Sequence, residues 1–196
     1  MSSQSSVTTM ERSPYPPGDL AVWMLIAMEL LTFGIFFCVY TFMRAKQPEL
    51  FDASQQLLNR QAGAINTLLL ITSSFFVVRG VEAIKQGASR VCGHWLAATL
   101  SMGVGFLLVK VWEYGQKYAA GITPDTDQFF FFYFALTAFH AFHVIMGMVI
   151  LSFIMFKAYR GGYSSENHMG VESGASFWHM VDLVWIILFP LIYVMR

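Results

Sequence analysis

Ser173–Met195 reads SGASFWHMVDLVWIILFPLIYVM, twenty-three residues that are almost wholly apolar. At a rise of about 1.5 Å per residue, such a run crosses a bilayer core of ~30 Å as a single helix. Within it sit His179 and Asp182, three residues apart and therefore on one helical face, with Trp178 and Trp185 on the same stripe. A charged side chain at the centre of a spanning helix costs about 2.5–3.5 kcal/mol on insertion scales, so it must turn toward protein, headgroups or water and find a partner. Four roles fit the pair: an interhelical hydrogen-bond contact that locks a bundle, a step in a proton path, a metal ligand, or a contact to another subunit.

The same character runs through the rest of the chain. Of 196 residues, 56% are apolar and 16% aromatic, and the mean hydropathy is +0.55. Such a composition belongs to an integral membrane protein, here all-α, rather than to a soluble domain. Twelve Lys and Arg balance twelve Asp and Glu, which offers no basic surface for nucleic acid and no polybasic grip on lipid. Cys38 and Cys92 form no CxxC pair and read as packing residues.

Four more spans precede the quoted one, which makes a bundle of five transmembrane helices over residues 19–196. Residues 1–18, rich in Ser, Thr and Pro, read as a disordered tail. The first span, 19–43, opens at a candidate N-cap, Asp19. No basic segment precedes it and no small-residue cleavage site follows, so it reads as a retained helix rather than a signal peptide. Glu29 lies inside it with no cation within a turn. Apolar surroundings disfavour the ionised carboxyl, so a neutral Glu29 is expected unless another helix supplies a donor.

A polar loop, 44–61, with a short amphipathic turn near Leu57–Leu58, leads to the second span, 63–78. There Asn66, Thr67, Thr72, Ser73 and Ser74 suit close packing and interhelical hydrogen bonds. Residues 79–90 read as a short charged connection, and the third span covers 92–111. Its continuation KVWEYGQKY, with Lys110, Trp112 and Glu113, has the mixture of an aromatic interface belt. The fourth span, 128–157, carries His140 and His143 on one face. Two histidines at this spacing suit a metal, but buried imidazoles more commonly bond across to another helix. In the fifth span Pro190 removes the backbone bond to Ile186 and should bend the exit.

Five spans put the termini on opposite sides. Arg12, Arg79, Lys85, Arg90, Lys157 and Arg160 lie on one side; Arg44, Lys46, Arg60, Lys110, Lys117 and Arg196 lie on the other. The positive-inside rule is therefore tied.

Taken together, the motifs resemble subunit III of the haem–copper oxidase superfamily. TAFHAFHVIMG matches the family's His-x-x-His-Val-x-x-Gly segment, and ESGASFWHMVDLVW matches its last helix. Glu29 in ELLTF matches the family's intramembrane glutamate, Glu113-Tyr114 its middle-helix Glu-Tyr, and NTLLLITSS its Asn-Thr-x-x-Leu-Leu-x-Ser-Ser helix. Within the family, NTLLLITSS, KVWEYGQKYAAGIT and FWHMVDLVWIILFPLIYVM look most like the small bacterial NorE type associated with nitric-oxide reductase. The chain lacks the first two helices of the long mitochondrial-type members, so their lipid-holding cleft does not carry over intact.

The resemblance implies a non-catalytic subunit in the bacterial inner membrane, N-terminus cytoplasmic and C-terminus periplasmic. It would sit beside a catalytic subunit that holds the haem and, in oxidases, the copper, while this chain holds neither and takes membrane phospholipid at most. Its expected contribution is to proton uptake and to the durability of its partner. The polar residues Glu29, His140, His143, His179 and Asp182 are then the intramembrane candidates, functional or structural. Trp112, Glu113, Trp178 and Trp185 are candidates for interface or lipid contact. Two other classes compete. One is a small proton or solute transporter using Glu29, His143, His179 and Asp182, against which stand the missing inverted repeat and the lack of paired broken helices. The other is a membrane metalloenzyme built on the His-x-x-His and His-x-x-Asp faces.

Overall fold

The computed structural model describes residues 19–195. The expected tail, 1–18, and Arg196 lie outside the described residues. The order is α1 (Leu20–Lys46), α2 (Pro48–Gln55), α3 (Arg60–Lys85), α4 (Ser89–Ala119), α5 (Gln128–Tyr159) and α6 (Met169–Phe189), closed by a π-helical turn at Pro190–Val194. Five of these helices are long and apolar enough to span a membrane; α2 is the short sixth. Large apolar side chains such as Leu68, Phe75, Leu108 and Phe153 face outward, as lipid or a partner requires.

Asp19 caps α1 as expected, its carboxylate accepting the Ala21 N–H at 3.0 Å. The polar loop is more ordered than expected. Pro48 at its first position starts α2, which buries Phe51 against Tyr40 and Phe129. Ser54 donates to Asp127, the N-cap of α5, and the Gln55 amide donates to the Ile192 carbonyl at 2.7 Å. So α2 closes one end of the bundle.

Two boundaries need correction. Residues 79–90 are not a charged connection: α3 continues to Lys85, because Gly80 and Ile84 extend the buried stripe of Leu70, Ser73 and Val77. Arg79 and Glu82 pair at 2.7 Å outside that stripe, and the chain turns only at Gly87, where φ is +78°. Likewise α4 continues to Ala119 rather than ending near Val111. Gly103, Phe106, Lys110, Glu113 and Lys117 form one buried stripe at helical spacing, charged in its last part.

α3 packs most extensively on α4, then α4 on α5 and α6 on both α5 and α3. α1 is peripheral. Its buried residues, Ile26, Phe33 and Tyr40, are seven apart and form one narrow seam. At the far end Pro190 has no N–H to give, and the chain widens to i→i+5 bonding, with Met195 N–H donating to the Pro190 carbonyl at 2.8 Å.

Candidate functional site

The singled-out polar residues divide among three neighbourhoods. The first is the antiparallel seam between α3 and α6, where hydroxyls of α3 meet polar groups of α6 at two levels. Trp185 Nε1 donates to Thr67 Oγ1 at 3.0 Å, and Trp178 Nε1 donates to Ser73 Oγ at 3.0 Å. One residue on, Ser74 Oγ and His179 Nδ1 are 2.8 Å apart. Asp182 faces the same seam and is 4% exposed; the Ser74 hydroxyl lies close enough to act on its carboxyl, but with that hydroxyl 2.8 Å from His179 neither Asp182 oxygen accepts a hydrogen bond of good geometry. Thus His179 and Asp182 do share a face, but only His179 is bonded. The tryptophans were expected at the interface or in lipid; both are fully buried. Room for Trp178 comes from Gly103 and Gly147, where an added Cβ would lie 3.2 Å and 2.9 Å from its ring.

The second neighbourhood joins α1 to α5. His143 Nε2 lies 2.9 Å from Glu29 Oε2, and His143 Nδ1 lies 2.8 Å from the Phe139 carbonyl. A carbonyl only accepts, so Nδ1 carries a proton. One further proton is then shared between Nε2 and the carboxyl, as imidazole with carboxylic acid or as imidazolium with carboxylate. The expectation of a solitary neutral Glu29 was conditional on no helix supplying a partner; α5 supplies one.

His140, one turn before, does not bond across to another helix as expected. Neither of its nitrogens has a hydrogen-bond partner. Its ring packs with Phe106 and Trp185, at centroid distances of 5.6 and 5.1 Å. His143 therefore faces α1, whereas His140 packs against α4 and α6. Among the described residues no three of His, Cys, Asp and Glu are grouped so as to hold a metal ion.

The third neighbourhood was misplaced by sequence reasoning. Lys110 and Glu113 are not in an interface belt but buried in the bundle, paired at 2.9 Å. The ammonium also donates to Tyr193 OH at 3.0 Å and Tyr133 OH at 3.4 Å, so its three protons meet three oxygens. Tyr193 in turn donates to Glu113 at 2.9 Å. Rings of Tyr114, Tyr133, Tyr193 and Trp185 surround the nitrogen at 5.0 to 5.8 Å, a cation–π cage. Tyr133 and Tyr193 were not singled out; the available signal was a Lys/Glu pair at i,i+3 on a stripe begun by Gly103 and Phe106. Trp112, on the opposite side of α4, does face outward.

The family pattern described as "Cytochrome c oxidase subunit III" matches residues 19–196. The chain belongs to the cytochrome c oxidase subunit III family. Among the similar relatives, "Cytochrome c oxidase subunit 3" of Thermostichus vulcanus is 33% identical over 177 residues, covering 90% of this chain and 86% of the relative. "Cytochrome bo(3) ubiquinol oxidase subunit 3" of Buchnera aphidicola is 25% identical over 172 residues, covering 88% and 83%. A third, "Heme-copper oxidase subunit I+III" of Aeropyrum pernix, is 28% identical over 192 residues, covering 94% of this chain and 24% of that longer protein. Each neighbourhood thus lies within the matched region of a subunit III family chain.

Proposed function

We propose that this chain is a non-catalytic subunit of a membrane haem–copper complex, seated against the catalytic subunit and supporting its proton uptake and durability. Family membership over residues 19–196 carries this reading. A relative that joins subunits I and III in its name and its chain is in keeping with the two working side by side. In this reading the haem and any copper belong to the partner. Phospholipid is the further candidate ligand, suited by its acyl chains to the apolar cleft of about 340 Å³ between Val22, Leu25, Phe153, Ile154 and Phe177.

The finer reading, a partner that reduces nitric oxide, rests on the NorE-like stretches alone. The relatives named above carry oxidase names. The placement is the bacterial inner membrane, N-terminus cytoplasmic. Supporting that orientation, Lys110 points into the bundle and is paired with Glu113. Removing it from the charge comparison leaves six cations on the N-terminal side against five on the other.

The deciding experiment is affinity purification of the full chain from its own membranes, followed by haem spectra and assays of oxygen and nitric-oxide consumption. A haem-bearing subunit should copurify, the favoured gas should name the partner, and the same complex made without this chain should turn over but inactivate sooner. A preparation free of haem would overturn the assignment. The transporter alternative would need His143 and the His179–Asp182 pair in one relay, yet they face different helices. Proton flux in proteoliposomes holding only this chain would restore it.

A further inference from the structure

We infer that the mid-membrane groove between α3 and α6 seats a hydrogen-bond donor carried on a transmembrane helix of the catalytic subunit, with the Asp182 carboxyl as its receptor. This rests on the partner reading above. The groove has a volume of about 300 Å³; Leu70, Ile71, Phe75, Val78 and Ile186 are its apolar walls, and Ser74 and Asp182 its polar residues. Trp178, His179 and Trp185 of α6 each find a hydroxyl on α3, whereas Asp182, among them, finds none. The Ser74 hydroxyl is engaged by His179. Were it to swing across, one oxygen of Asp182 would still lack a donor, since a carboxyl has accepting room on both. A buried carboxyl without a partner is among the costliest arrangements in an apolar site, so its place in the bundle calls for one.

Depth selects the occupant. Asp182 is thirteen residues from Met169 and twelve from Val194, the ends of the last span. At 1.5 Å per residue it lies roughly 18–20 Å from either end, near the middle of a ~30 Å core. Lipid headgroups stay at the edges, and an acyl chain has no donor to offer. A side chain on a helix laid along the groove reaches this depth. The groove is also open to such a helix: Ile71 and Ile186 on its rim are about half exposed. Beyond Val78 it continues as a second cavity, lined by Glu82, Lys85, Glu172 and His179. A helix in this seam would meet polar groups at its end and Asp182 at its centre.

The test is site-specific photocrosslinking in the intact complex. Benzoylphenylalanine replaces Ile71 or Ile186 on the groove, or Leu108 on the outward face of α4. Adducts with the haem-bearing subunit are expected from 71 and 186 and not from 108. In parallel, Asp182→Asn, which keeps hydrogen-bonding capacity, should retain that subunit within about twofold. Asp182→Leu should lower its recovery by about 3- to 17-fold, the range equivalent to measured interhelical hydrogen bonds in membranes. Because the leucine variant could misfold, its melting when expressed without the partner must match the wild type for the loss to count; the crosslinks decide if it does not. Adducts only with phospholipid, or equal adducts from 108, overturn the inference while leaving the partner reading intact, provided haem still copurifies. Loss of haem from the wild-type preparation overturns both.

Discussion

Lys110→Met removes one half of an ion pair that the bundle encloses completely. Glu113 would keep only the Tyr193 hydroxyl, and Tyr133 would lose its nearest cation. Removing one partner of a buried pair typically costs about 3–5 kcal/mol, mostly because the remaining charge is stranded. Glu113→Leu should cost a similar amount for the opposite reason, leaving an ammonium among aromatic rings. The double variant strands no charge. It loses instead the pairing of two tyrosine hydroxyls, about 1–3 kcal/mol each if they stay dry. Their rings are 6.2 Å apart, close enough for them to turn toward one another.

The double variant should therefore be no worse than either single one, and the coupling between the sites should reach the ~3 kcal/mol limit seen for contacting residues. Reversible unfolding of the purified chain in mixed micelles, followed by tryptophan fluorescence, measures all four members of the cycle. Trp185, whose ring is 5.8 Å from Lys110 Nζ, is a local reporter. Additivity within ~0.5 kcal/mol would refute the reasoning, because it would mean that Lys110 and Glu113 are solvated separately.

Other positions give shorter tests. His143→Phe leaves Glu29 without its imidazole, so a lipid-soluble carbodiimide, which attacks a protonated carboxyl in apolar surroundings, should label Glu29 faster than in the wild type; an unchanged rate by mass spectrometry would count against the pair. Gly147→Ala puts a methyl 2.9 Å from the Trp178 ring and should cost about 1–3 kcal/mol, whereas Gly34→Ala, with nothing within 4 Å, should be neutral or stabilise by up to ~1 kcal/mol. Thermal unfolding of the two alanine variants compares them directly. Trp185→Phe should lose the Thr67 bond, about 0.6 kcal/mol, in addition to the cost of the cavity that the smaller ring leaves, and combining it with Thr67→Ala should cost little more than Trp185→Phe alone.

What was legible in the sequence, and what was not, follows from the range of each interaction. Hydropathy runs located all five spans, because a spanning helix must be apolar over a length the bilayer dictates. Same-helix relations were legible too: His179 and Asp182 do share a face. The ends of α3 and α4 were misread because charged residues suggested water. In the structure Arg79 and Glu82 ride outside a helix whose buried stripe continues, while Lys110 and Glu113 point inward and neutralise each other. Cross-helix partners depend on the register between distant segments. Glu29 meets a histidine more than a hundred residues later, and no local spacing encodes that. Trp178 and Trp185 fit the rule for interface aromatics, but two glycines on α4 and α5 open a slot that encloses Trp178, and Thr67 satisfies the Trp185 indole.

α1 shows why those cross-helix contacts matter in a bilayer. Lipid is as apolar as leucine, so burying Ile26, Phe33 and Tyr40 gives little drive to dock. Polar ties accompany that seam at three levels. The Asp19 N–H donates to Ser173 Oγ at 2.9 Å, Glu29 meets His143 at 2.9 Å, and Tyr40 OH donates to the Leu191 carbonyl at 3.4 Å. Ten and eleven residues separate these ties along α1, about three helical turns each. The first and last go to α6 and its terminal turn, and the middle one goes to α5. Removing the middle tie leaves both ends pinned, so α1 should gain local motion without detaching. The opposite face of α1, where Met24, Met28, Leu31 and Ile35 are exposed, is left for lipid or another subunit to cover without rebuilding α3 to α6.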